Sequence, residues 1–472
     1  MLSVIKSKLL NKKHIYTNYI HTNYIHTNSL TKLEVDNITP NQVHDILKKN
    51  MLVDGYDLVF DTDKSFGPYI HDSKTNKKYL DMFSFFASSP ISFNHPKLNN
   101  EKFKKEIGEI AIHNPANPDI YTKEMAQFVA TFERVCMPEN FKHLFLISTG
   151  TLAVENALKV AFDWKTRKNG NINSNTILAK DVIHFKEAFH GRSGYALSLT
   201  NTDPTKYKYF PLFNWPRIPN PKIKFPMEGD NLCDVIKAEN VALGNIKNIL
   251  EKCSKTIASI IMEPIQGEGG DNHFRPEFWQ SLREMANKYE VLLIADEVQS
   301  GMGLTGKLWA HEHLGASPDI ICFGKKAQVC GIICNDRIDD VDNVFRVPSR
   351  INSTWGGNLV DMVRSKKMIE IIEEENLILN ADIVGAYLLC GLYELQNTYP
   401  NKISNVRGKG LMCAFDLQNK HLCDKLIGMA YDNQLLIISC GTNSIRLRPV
   451  LDITTKDIDK LIEILYICMS KL

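Results

Sequence analysis

His143-Leu-Phe-Leu-Ile-Ser-Thr-Gly-Thr-Leu-Ala-Val-Glu-Asn-Ala-Leu-Lys-Val-Ala-Phe-Asp-Trp164 puts an apolar run, a small polar turn and an amphipathic segment in direct succession. Residues 143–148 read as a buried strand. In the segment that follows, Ala153, Ala157, Val160, Ala161 and Trp164 fall at offsets of 4, 7, 8 and 11, which is one face of a helix. The alternation of strand, loop and helix continues from about residue 90 to 335, with further strands expected at 182–185, 259–265, 291–298 and 319–323. Their apolar runs are continuous rather than alternating. Such strands are covered on both faces, as in the parallel sheet of an α/β protein.

After residue 345 the pattern changes. Helical segments around 358–397 and 419–434 surround short strands near 411–417, 435–439 and 444–448, the texture of a smaller α+β domain. Residues 34–88 are expected to join that smaller domain, with 89–345 forming the large domain and 346–472 completing the small one. Residues 1–33 stand apart. They carry five lysines and no acidic residue before Glu34, with a tandem Thr17-Asn-Tyr-Ile-His21 and Thr22-Asn-Tyr-Ile-His26. A basic, acid-free, hydroxyl-containing leader points to a mitochondrial transit peptide and a matrix location, with the cytoplasm as the alternative.

Composition narrows the function classes. With 44% hydrophobic and 23% charged residues the chain can bury a sizeable core. Lysine plus arginine number 56 against 54 acidic residues, so no broad basic face is available for nucleic acid. No uninterrupted apolar run approaches the 18 or so residues that span a bilayer. The 11 cysteines contain no CxxC pair and read as reduced thiols, with no metal site expected.

In an open parallel sheet, ligands bind beyond the carboxyl ends of the strands. Four polar motifs fall there: Ser148-Thr-Gly-Thr151, Phe189-His-Gly-Arg192, Asp296-Glu-Val-Gln299 and Phe323-Gly-Lys-Lys326. A glycine at a helix start lets backbone N–H groups approach a phosphate. A carboxylate ending a buried strand needs a cationic or hydrogen-bonding partner. A lysine at such an end can lose its proton by desolvation and become a nucleophile. Phosphate cradle, aromatic ring, carboxylate and lysine together are what pyridoxal 5'-phosphate requires.

The segments Lys186-Glu-Ala-Phe-His-Gly-Arg192, Met262-Glu-Pro-Ile-Gln-Gly-Glu268-Gly-Gly270, Ala295-Asp-Glu-Val-Gln299 and Asn352-Ser-Thr-Trp-Gly-Gly357 resemble the class III, or ω-amino acid, aminotransferases. Phe85-Phe-Ala-Ser-Ser89, Leu152-Ala-Val-Glu-Asn-Ala-Leu-Lys159, Val329-Cys-Gly331 and Arg407-Gly-Lys-Gly-Leu-Met-Cys-Ala-Phe415 extend the likeness, which runs from about residue 36 to the C-terminus. The resemblance implies the fold type I of pyridoxal-phosphate transferases, with a mostly parallel seven-stranded sheet and a smaller α+β domain. It implies a homodimer with shared active sites that moves a terminal amine to 2-oxoglutarate. Lysine is the donor it favours, and 4-aminobutyrate the alternative.

By the same resemblance, Lys325, in preference to Lys326, would hold the coenzyme covalently. Asp296 would pair with the pyridinium nitrogen, Phe189 and Val298 would cover the two ring faces, and Gln299 would reach the phenolic oxygen. Gly150 and Thr151 would cradle the phosphate, with Thr354 arriving from the second subunit. Arg192 would clamp the distal carboxylate of the substrate. Glu268 would neutralise Arg446 while an amine reacts and move aside when 2-oxoglutarate enters; Glu263 would orient its neighbours. The CxxC that animal 4-aminobutyrate enzymes use for an iron–sulfur cluster is replaced here by Thr149 and Leu152.

Two motifs compete. Gly301-Met-Gly-Leu-Thr-Gly306 matches the GxGxxG of dinucleotide sites, but the polar 296–299 segment separates it from the apolar run. His311-Glu-His313 lacks the spacing of a metal-binding helix and reads as a solvated helix face.

Overall fold

The computed structural model describes residues 31–170 and 178–472. The leader's tandem repeat and residues 1–30 as a whole lie outside the described residues. By packing, the described residues divide into two compact units, one formed by 31–61 with 72–76, the other by those of 62–71 and 77–472.

In the first unit, a short helix at Lys32–Asp36 starts from a capping box between Thr31 and Glu34. The Asp72 carboxylate gathers the backbone N–H groups of Val59, Lys74 and Thr75 at 2.7, 3.1 and 3.1 Å, closing the 72–76 turn.

The second unit carries three sheets. Strands β1 (Tyr69–His71) and β2 (Lys78–Asp81) pair antiparallel. Then come β3 (Phe141–Ile147), β4 (Asp181–Phe185), β5 (Arg217–Ile218), β6 (Ile257–Met262), β7 (Leu292–Asp296), β8 (Ile320–Phe323) and β9 (Cys330–Asn335). These make a seven-stranded sheet in the order β3-β9-β8-β7-β6-β4-β5. Only β9 runs against its neighbours. The remaining strands are β10 (Ser404–Lys409), β11 (Met412–Asp416), β12 (Leu435–Leu436), β13 (Ile438–Cys440) and β14 (Ser444–Leu447). Four of them form the sheet β10-β11-β14-β13, while β12 adds to β2 in parallel.

The apolar runs are buried on both sides, as their continuity requires. Leu292 and Ile294 of β7 pack with the helix Gly150–Lys168, whereas Leu293 and Ala295 face Phe278, Trp279 and Trp309. All five apolar positions read as one helical face in 150–168 are buried.

The strands end earlier than the apolar runs suggested. The 259–265 segment leaves the sheet at Met262, before Glu263 and Pro264, and 291–298 leaves it at Asp296. There the Val298 N–H folds back onto the Asp296 carboxylate at 3.1 Å. Strands β5, β9 and β10 were not anticipated. The helical stretch 358–397 is two helices, Leu359–Glu374 and Leu377–Thr398, broken where Asn376 takes φ 54°.

Leu377–Thr398 is, by length and composition, long and apolar enough to cross a membrane. Its Ala381, Val384, Leu388, Leu392 and Leu395 are buried in the core shared with the C-terminal strands and helices.

Candidate functional site

Strands β3, β4, β6, β7 and β8 all point the same way, so the residues after their carboxyl ends meet along one edge of the sheet. A cavity of about 580 Å³ opens there, lined by Gly150, Thr151, Phe189, Arg192, Asp296, Val298, Gln299 and Lys325.

Its floor on one side is the start of the helix Gly150–Lys168. Thr149, at φ 75°, precedes it without any side-chain cap, so the first-turn N–H groups keep their donors for a ligand. A β-carbon at Gly150 would lie 2.8 Å from Val298 Cγ1, so glycine is what lets the helix start and the 296–299 turn close on one another. The Thr151 hydroxyl takes backbone N–H groups from Arg192 and Ser193, each at 3.2 Å, and lies 2.7 Å from the Ser193 hydroxyl.

On the opposite wall, Asp296 ends β7 almost fully buried, with Oδ2 at 2.7 Å from His190 Nδ1. Burial alone would favour neutral imidazole. The hydrogen bond and charge of Asp296, helped by Glu263, outweigh it and hold the His190 pKa above its ordinary value. Glu263 accepts N–H from Phe189 at 2.9 Å and from Gly267 at 3.2 Å. Burial pushes its carboxyl up to about 7, against the pull of His190. Glu263 thereby fixes the backbone that presents Phe189.

Lys325 follows β8 with φ 48° and donates from Nζ to the Phe86 carbonyl at 3.1 Å. Burial first, then the neighbouring Arg446 cation, lowers its pKa to about 8. The acceptor carbonyl belongs to an unusual turn: Ser84, Phe85, Phe86 and Ala87 all have positive φ, between 40° and 66°. Left-handed backbone costs roughly 1–2 kcal/mol per residue, so the turn must be held. Asp81 holds it, accepting the N–H groups of Phe83 and Ser84 at 2.8 Å each. Lys326 points elsewhere, donating to the Ser89 carbonyl at 3.2 Å, and does not line the cavity.

The outer part of the site is charged. Arg446, fully buried on β14, places Nη2 at 2.7 Å from Glu268 Oε2, and its guanidinium lies 5.8 Å from the centre of the Phe86 ring. The second Glu268 oxygen is 2.6 Å from Lys206 Nζ. Burial would raise the Glu268 pKa, but Arg446 and Lys206 overcome it and hold the carboxyl below its usual range. Arg192 is exposed at the cavity mouth. Three expected site residues do not line the cavity itself: Glu268 and Arg446, which border it where Arg446 Nη1 lies 3.5 Å from Gln299 Oε1, and Thr354, which is exposed.

Two groups escaped the sequence reading. His190 sits inside a motif already singled out, and the stated need of Asp296 for a partner was the signal that could have found it. Lys206, which ends the single 3-10 turn Pro204–Lys206, carries no such signal. The competing motifs also resolve. Gly301–Gly306 forms turns with no α-helix behind it, unlike a dinucleotide cradle. His311 is not solvated: it is buried, with Nδ1 at 3.0 Å from Glu297.

The residues fit a phosphorylated pyridine aldehyde. An uncapped helix start suits a dianion, a buried carboxylate suits the ring nitrogen, Phe189 and Val298 supply apolar walls, and a lysine of lowered pKa suits the aldehyde.

Residues 52–469 match the family model described as aminotransferase class-III. The L-lysine-epsilon aminotransferase of Mycobacterium tuberculosis is 47% identical over 423 residues, covering 89% of this chain and 94% of that protein. The solved lysine aminotransferase from M. tuberculosis in the internal aldimine form superposes with a TM-score of 0.89 at 45% identity, covering 92% and 99% of the two chains. The human mitochondrial 4-aminobutyrate aminotransferase is 33% identical over 414 residues, covering 82% and 80%.

Proposed function

Since this chain belongs to the class III aminotransferases, enzymes that work with pyridoxal phosphate, we propose that it transfers the ε-amine of L-lysine to 2-oxoglutarate, giving 2-aminoadipate 6-semialdehyde and L-glutamate. The observation that carries the reading is the convergence of Lys325, the Asp296–His190 pair and the uncapped helix start on one cavity. Lysine is preferred to 4-aminobutyrate because the lysine enzyme of M. tuberculosis is 47% identical and the human 4-aminobutyrate enzyme 33%.

When bound, the coenzyme supplies an electron sink for the carbon that loses its proton. The protein's share follows from its own groups. The lowered pKa of Lys325 gives an amine free to bond the coenzyme and then to carry the proton between carbons. Asp296, fixed by its contact with His190 Nδ1 at 2.7 Å, would pair with the ring nitrogen and hold it protonated. Gly150 and Thr151 would receive the phosphate, Phe189 and Val298 the ring faces, and Gln299 the phenolic oxygen. Arg192 would take the substrate's distal carboxylate bidentately.

Glu268 neutralises Arg446 while an amine occupies the site. It would yield when the α-carboxylate of 2-oxoglutarate arrives. Leaving a buried arginine unpaired costs about 3–5 kcal/mol, which is why the two anions must exchange rather than simply come and go.

A homodimer is part of this reading, because Thr354 is exposed here and would serve the partner's phosphate site. The domain limits 89–345 and 346–472 are proposed on the same footing. Import into mitochondria rests on the basic leader alone, and the matched bacterial lysine enzyme lends it no support.

The test is a half-reaction. Purified yellow protein is mixed with L-lysine or with 4-aminobutyrate, and the coenzyme's visible absorbance is followed. Loss with lysine and not with 4-aminobutyrate is expected; the reverse would hand the assignment to the alternative donor.

A further inference from the structure

Glu268 is held by two cations, one on each oxygen: Arg446 at 2.7 Å and Lys206 at 2.6 Å. Only Arg446 has a place in the exchange described above. Lys206 closes the turn Pro204–Lys206, which is capped by Asp203 accepting the Thr205 N–H at 2.9 Å. Its ammonium also lies 3.1 Å from the Thr202 hydroxyl and 5.3 Å from the centre of the Phe189 ring. The three side chains differ in freedom. Arg446 is 2% exposed and fixed within its sheet, whereas Glu268 is 26% and Lys206 13% exposed. When the pair opens, it is therefore Glu268 that moves.

We infer that Lys206 is a positioning residue that keeps Glu268 ion-paired after Arg446 releases it, so that the acceptor half of the reaction depends on Lys206 and the donor half does not. A half-buried carboxylate leaving its only cation would be stranded, and that state would be costly. With Lys206 in place only one of two ion pairs breaks, and the acceptor's carboxylate restores the other partner. Without Lys206, Glu268 leans on Arg446 alone and the gate stays shut against dicarboxylates. The inference rests on the reading that Arg446 takes the acceptor's α-carboxylate.

The experiment uses holoenzyme carrying Lys206→Met, which keeps an apolar chain over Phe189 and removes the charge. Donor and acceptor half-reactions are followed separately, and glutarate, an unreactive dicarboxylate, is titrated calorimetrically. The expected result is about a tenfold rise in the 2-oxoglutarate concentration for half-maximal rate and in the glutarate Kd, with the donor half changed by less than about twofold. Lys206→Arg is expected to recover most of the loss. In a Glu268→Gln background, Lys206→Met is expected to change the acceptor half by less than about twofold, since no anion remains to be held. Equal losses in both halves would reveal a structural role and overturn the inference. So would an unchanged acceptor half, or the full loss persisting in the Glu268→Gln background. Arg446→Met separates the two levels: if the acceptor half survives it, the exchange itself is wrong. The acceptor half starts from aminated coenzyme and is blind to which amine was the donor.

Discussion

Nδ1 of His190 lies 2.7 Å from Oδ2 of Asp296, both side chains are buried, and the pair closes the inner wall of the cavity. The other Asp296 oxygen accepts the Val298 N–H at 3.1 Å. The carboxylate that would serve the coenzyme ring is thus fixed from behind by an imidazole and from its own turn by an amide. A charge-assisted bond of this kind contributes about 1.5–3 kcal/mol.

His190→Gln should therefore lower the half-reaction rate about 10- to 100-fold and loosen the coenzyme, measured by stopped-flow and by loss of colour on dialysis. The pair also predicts a pH signature in the coenzyme-free protein. The folded pKa of His190 is raised, so its stabilising contribution is complete below the unfolded value of about 6.5 and is lost as pH climbs through the folded one. The melting-temperature gap between wild type and His190→Gln should be widest in mild acid and narrow with rising pH.

Lys325→Ala should abolish both turnover and visible absorbance, whereas Lys326→Met should stay yellow. Lys325 lines the cavity, while Lys326 turns to the Ser89 carbonyl. An active, coloured Lys325→Ala protein would move the assignment to its neighbour.

Recombination of apoenzyme with pyridoxal phosphate should also accelerate as pH rises, with an inflection near the Lys325 pKa of about 8, because only the neutral amine bonds the aldehyde. Arg446 is the chief charge depressing that pKa, after burial. Arg446→Met should move the inflection upward, read from the rate at which visible absorbance returns.

How far this site could be read in advance depended on where each residue sits. Asp296 and Lys325 were legible because strand ends in an open α/β sheet are where ligands bind, and the apolar runs of β7 and β8 located those ends. His190 and Lys206 were not, because their partners lie 106 and 62 residues away and only the folded loops bring them together. The short β9 was missed although Gly331-Ile-Ile-Cys334 is apolar. The final helix, Thr455–Lys471, was passed over despite readable cues: a capping box from Thr454 to Asp457, then Ile458, Leu461, Leu465 and Cys468 on one buried face.

Gly150→Ala tests the phosphate cradle through a single methyl. The added carbon would meet Val298 Cγ1 at 2.8 Å, closer than packing tolerates. Overpacking of this kind costs about 1–3 kcal/mol and displaces either the helix start or the 296–299 turn. Coenzyme affinity should fall about tenfold or more, measured by fluorescence titration of apoenzyme. Val298→Ala, which vacates the contact, should recover part of the loss when combined with Gly150→Ala. If the double variant binds no better than Gly150→Ala alone, the steric account is wrong.

Glu263 supplies a prediction whose sign opposes habit. Its folded pKa is raised to about 7 from the usual 4.5, chiefly by burial, so the folded state binds the proton more tightly than the unfolded one. Between about pH 4.5 and 7 the unfolded chain has released this proton while the folded chain keeps it, and stability falls as pH rises. Above 7 the penalty is complete and the contribution levels off. Glu263→Gln removes the titration while keeping one amide oxygen to accept from Phe189 or Gly267. Its amino group then faces the other N–H, so the variant should be the less stable protein near pH 5. The deficit should shrink steadily up to pH 7 and stay constant beyond, in melting curves of the two coenzyme-free proteins recorded side by side. A deficit that instead stays constant over that window would mean that the folded state holds Glu263 ionised throughout, with its two backbone donors outweighing burial.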